Sequence, residues 1–128
     1  MVQVDIPQLA AECNAWRASL RGYRDEFTND NRQLQDASRH LHSQDHLQRV
    51  EHLQNQFHIQ LINIHDLKHS IKNHQRVMET ELEKHQGKLR EETLAMHDSL
   101  YAQYDQQQSM LHQLRKEFNQ FLEGIKVG

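Results

Sequence analysis

The chain has 128 residues, of which 36% are apolar and 26% charged, with a formal charge of −3, four glycines and one proline. So few turn-forming residues exclude a β-sandwich or a doubly wound sheet, and so low an apolar fraction excludes a body with a thick core. Acids and bases are interspersed rather than gathered into a basic stripe, which argues against nucleic acid or an anionic membrane as partner.

No apolar run reaches the ~18–20 residues of a membrane span, and the start does not resemble a signal peptide. Cys13 is the single cysteine, so no intrachain disulfide forms. A reducing, cytoplasmic setting is the expectation, with Cys13 a small buried hydrophobe.

The first helix is expected over about residues 5–41. Asp5 is a good N-cap, and Pro7 falls in the first turn, where a missing N–H costs nothing. Apolar residues then step by three and four. Leu9, Trp16, Tyr23 and Ala37 form one row of sevens, and Cys13, Leu20, Phe27, Leu34 and Leu41 the other, a heptad seam flanked by charge. Asp30 interrupts it inside a polar run. The stripe resumes in phase at Leu34, so the helix is continuous. Trp16 reads as a core anchor.

After Leu41 the phase is lost, and a tight connection is expected at His42 to Gln44. Ser43 serves as N-cap, with Asp45 in the first turn behind it. The second helix, about residues 44–86, carries Val50, Leu53, Phe57, Leu61, Ile64, Leu67, Ile71, Met78 and Leu82 as its seam. Ile59 and Ile62 lie off that seam and widen the apolar face. The stretch 57–64 is rich in β-branched residues, yet helical spacing continues on both sides, which excludes a strand.

The third helix, about residues 88–123, places Leu100, Tyr104, Leu111, Leu114, Phe118 and Phe121 on a seam whose polar members are His97 and Gln107. Gly87 either turns the chain or sits inside one helix joining the second and third, since Leu82, His85 and Leu89 carry the pattern across it. The fold class is therefore all-α: an elongated antiparallel bundle, coiled-coil-like, of two or three long helices in one domain over 1–128.

Histidine is the one unusual chemistry. Nine of eleven histidines lie between His40 and His85. His42/His46 and His65/His69 have i,i+4 spacing, which brings two imidazoles to one helix face and makes half of a zinc, nickel or copper site. His58 lies one heptad before His65. The segment His65-Asp66-Leu67-Lys68-His69 lacks the glutamate of a metalloprotease helix, and no Glu-x-x-His of a di-iron bundle occurs. On the seam, His85 and His97 are suited to setting register.

No nucleophile has an identifiable base and no glycine-rich phosphate cradle occurs, so an enzyme is not expected. The leading expectation is a non-catalytic helical interaction or scaffold module without cofactor. It would act through self-association or partner-helix packing, as a homodimer with Ile59, Ile62, Tyr104, Leu111, Phe118 and Phe121 at the interface. The alternative is a histidine-rich metal-binding or pH-responsive bundle, with zinc, nickel or copper at the histidine pairs. Seam histidines held neutral would make acid destabilising.

Overall fold

The computed structural model describes residues 1–127; Gly128, the last residue of the expected domain, lies outside them. Three long helices, α1 (Ile6–Ser38), α2 (Gln44–Lys84) and α3 (Glu91–Val127), pack antiparallel in chain order, so α1 and α3 run the same way. Two short strands, β1 (Val2–Gln3) and β2 (Lys88–Leu89), pair antiparallel, Val2 opposite Leu89.

The caps act as the residue types dictate. Asp5 accepts a hydrogen bond from the Gln8 N–H at 3.2 Å, and Ser43 one from His46 at 3.4 Å. α1 runs unbroken through Asp30 and ends at Ser38, three residues short of the expected limit. There the N–H groups of Arg39, His40 and Leu41 turn back to carbonyls three residues earlier. This tightening closes the helix before the connection.

Gly87 turns the chain. α2 ends at Lys84 rather than 86, in a closure where the Gly87 N–H reaches the Leu82 carbonyl at 2.9 Å. Gly87 has φ +82°, and Gln86 (φ +55°) takes the left-handed conformation that usually ends a helix at glycine. α3 starts at Glu91 rather than 88, because Lys88 and Leu89 are drafted into the strand pair. It also passes Gly124, whose environment is open, and continues to Val127.

The buried seam of α2 steps strictly by three and four: Val50, Leu53, Phe57, Gln60, Ile64, Leu67, Ile71, His74, Met78 and Glu81. This corrects the sequence-based seam at Leu61 and Leu82, which flank the core half-buried, while Gln60 and Glu81 occupy it. Phe27, Phe57 and Phe118, one from each helix, meet at centroid distances of 5.3–5.5 Å and fill the middle of the bundle. Beside them Gln107 donates to Gln60 at 2.8 Å, so each buried amide meets the other. Tyr104, Leu111, Phe118 and Phe121, expected at an interface, are all covered by the chain's own helices once Gly87 turns.

Candidate functional site

Toward the turn end of the bundle the three seams bring polar side chains together. Cys13 lies on α1, His74 on α2 in the gap between Ile71 and Met78, and His97 on α3; none is more than 4% exposed. His97 Nε2 stands 2.8 Å from Glu12 Oε2, and since a carboxylate only accepts, the imidazole N–H donates there. That fixes Nδ1 of neutral His97 as an acceptor, and His74 Nε2–H donates to it at 3.0 Å. Cys13 Sγ lies 3.9 Å from the same Nδ1. The thiol and two imidazole nitrogens offered by these residues all fall within 4.8 Å of one another.

The electrostatics follow from burial and pairing. Burial lowers the His74 pKa to about 4, with His97 adding to the effect and Glu81 opposing it. Burial likewise pushes the Cys13 thiol up to about 11, with Glu12 contributing. The hydrogen bond from His97 holds the Glu12 carboxyl below its ordinary range against some desolvation. The cluster is thus a neutral thiol and a neutral His74 ring beside an ionised carboxylate. Trp16 covers it, with its ring centroid 4.9 Å from that of His97.

The histidine pairs read from spacing are placed elsewhere. His65 and His69 are exposed on the outer side of α2, as is His58. His42 lies in the connection before α2 begins, so it shares no helix face with His46, which packs edge-on against Phe121 at 6.2 Å. His85 sits half-exposed at the end of α2 and caps it. The seam position of His97 held. Sequence reasoning missed His74 and Glu12, although the empty step between Ile71 and Met78 marked where His74 had to point.

A second feature is the outer face of α2. Ile59 and Ile62 remain 45% and 47% exposed after the bundle has formed. They sit at the centre of a stripe, 45, 48, 52, 55, 59, 62, 66, 69, 73 and 76, in which every residue is exposed. No helix among the described residues is long and apolar enough to cross a membrane. Comparison with protein-family models, curated proteins and solved structures finds no match to this chain.

Proposed function

We propose that the chain is a non-catalytic helical interaction module that pairs with a second copy of itself through the outer face of α2. The observation that carries this reading is the pattern of that exposed stripe around Ile59 and Ile62. With the two α2 helices antiparallel and a two-fold axis between these residues, each Ile59 meets the partner's Ile62. Asp45 then falls opposite the partner's Arg76, Asn55 opposite the partner's Asp66, and Gln48 opposite the partner's Asn73. No acid faces an acid, and no lysine or arginine faces another. Such self-complementarity is what an isologous contact requires.

Sedimentation equilibrium across the micromolar range tests it. The expected mass is twice the 15.3 kDa of one chain, reduced to one chain by Ile62→Glu. Arg76→Glu should weaken the pair, and adding Asp45→Lys should restore it. A monomer at all concentrations overturns the reading.

A further inference from the structure

We propose that Cys13, His74 and His97 form a binding site for one borderline-soft divalent ion, Zn²⁺ first, with Glu12 as the carboxylate that orients His97. The proposal is independent of self-association. Three observations carry it.

First, the donor set is chemically coherent. One thiolate and two imidazoles are ligands zinc takes, and they come from three different helices, so folding alone assembles them. Zinc bonds of about 2.1 Å to nitrogen and 2.3 Å to sulfur, at tetrahedral angles, separate two nitrogens by about 3.4 Å and nitrogen from sulfur by about 3.6 Å. The structure has 3.0 Å between the imidazole nitrogens, 3.9 Å between Cys13 Sγ and His97 Nδ1, and all three ligand atoms within 4.8 Å of one another. Displacements of up to about an ångström close the geometry.

Second, the supporting shell is in place. A ligating histidine typically donates its other N–H to a carboxylate, which fixes the tautomer and strengthens the ring as a donor. His97 Nε2 does this to Glu12 at 2.8 Å, leaving the Nδ1 lone pair aimed at the cluster.

Third, a cleft of about 450 Å³ between α2 and α3 reaches one member of the set: His74 lines it, together with Val77, Thr93, Met96 and Leu100. The protein supplies three ligands, and the fourth position is left for a water or another small donor.

Binding balances simply. Zn²⁺ enters, the Cys13 S–H bond breaks, its proton leaves to solvent and the sulfur pair binds the metal. His74 moves its proton from Nε2 to Nδ1, and both imidazoles stay neutral. One proton is released per ion if Glu12 stays ionised, so affinity should rise with pH.

The test uses the chelator-treated chain titrated with Co²⁺ and then Zn²⁺. Expected are one equivalent of Co²⁺ with a thiolate-to-metal charge-transfer band, quenching of Trp16 fluorescence through its contact with His97, and displacement by one equivalent of Zn²⁺. Zn²⁺ should raise the melting temperature and a chelator should reverse this. Cys13→Ala, checked for helicity by circular dichroism, should abolish the band, and Glu12→Gln should weaken binding by 10- to 100-fold. The double variant His65→Ala, His69→Ala should leave everything unchanged. Absence of the band in wild-type protein, or binding lost in that double variant, overturns the proposal. The wild-type titration decides even if Cys13→Ala fails to fold.

Discussion

Asp30 and Glu81 are both carboxylates at buried seam positions, 4% and 6% exposed, and their surroundings could hardly differ more. Glu81, at the turn end, has both oxygens occupied. Oε1 accepts from the Arg90 N–H at 3.0 Å, Oε2 accepts from the Thr93 hydroxyl, and the Arg90 guanidinium lies 3.4 Å away. It caps the start of α3 from another helix, where the dipole favours a negative charge. Asp30, in the other half, has no hydrogen bond to Oδ2, and its nearest cation, Arg115, stands 3.7 Å off. The pKa values diverge accordingly. Burial pushes Asp30 up despite Arg115, whereas at Glu81 the bonds from Thr93 and Arg90 outweigh burial and bring it down. Burial is thus no measure of whether a charge stabilises a fold; the count of its satisfied lone pairs is.

The largest effect should come from breaking the satisfied member. Glu81→Ala leaves the Thr93 hydroxyl and the Arg90 N–H without their acceptor, and should cost about 3 kcal/mol in urea denaturation. Asp30→Leu should act in the opposite direction, stabilising by about 1–2 kcal/mol, because it restores the seam and leaves Arg115 its bond to Glu26 at 2.6 Å. A destabilised Asp30→Leu, or a neutral Glu81→Ala, would erase the contrast.

Acid sharpens it. Asp30 has its folded pKa above the unfolded value near 3.8, so the native state binds the extra proton and this residue's contribution improves as pH falls through the folded pKa. Glu81 has its folded pKa below 4.5, so its stabilisation is present above that value and is lost as pH falls. Melting curves from about pH 7 to pH 4 should show the advantage of Asp30→Asn shrinking, and the deficit of Glu81→Gln shrinking as well. A pH-independent difference for either variant contradicts the assigned shift.

The smallest effect separates the carboxylate from the turn that delivers its partners. A Cβ on Gly87 meets nothing closer than 3.8 Å, so Gly87→Ala tests backbone conformation alone. It should cost about 1 kcal/mol in melting experiments. A much larger loss would mean that the turn, not Glu81, holds this end together.

These residues also show what a sequence discloses. Caps at Asp5 and Ser43 and the seams of α1 and α3 were legible because they depend on neighbours three or four residues away. The seam of α2 was legible at Val50, Leu53, Phe57, Ile64, Leu67, Ile71 and Met78 but not at Gln60, His74 and Glu81, which occupy core positions by virtue of partners on α3, namely Gln107, His97 and Thr93. Hydropathy favours the adjacent Leu61 and Leu82, and nothing local corrects it. The histidines show the same limit in reverse. Spacing of i,i+4 places two rings together on a helix but cannot say that the face at His65 and His69 points to solvent while His74 points inward. The strand pair was invisible too, since two residues at each end of an 87-residue separation carry no period.

Three helices running alternately up and down put the entry and exit of the chain at opposite ends of a rod about 60 Å long, the length of α2 at 1.5 Å per residue. Tension applied through these ends does not load all parts alike. The helices are pulled lengthwise against seams in which many contacts must slide at once, which resists force. The Val2–Leu89 and Gln3–Lys88 pairs sit beside the pulling point and peel one after another. Under load the bundle would therefore yield first at its two-residue ladder, lengthening slightly while its core stays closed.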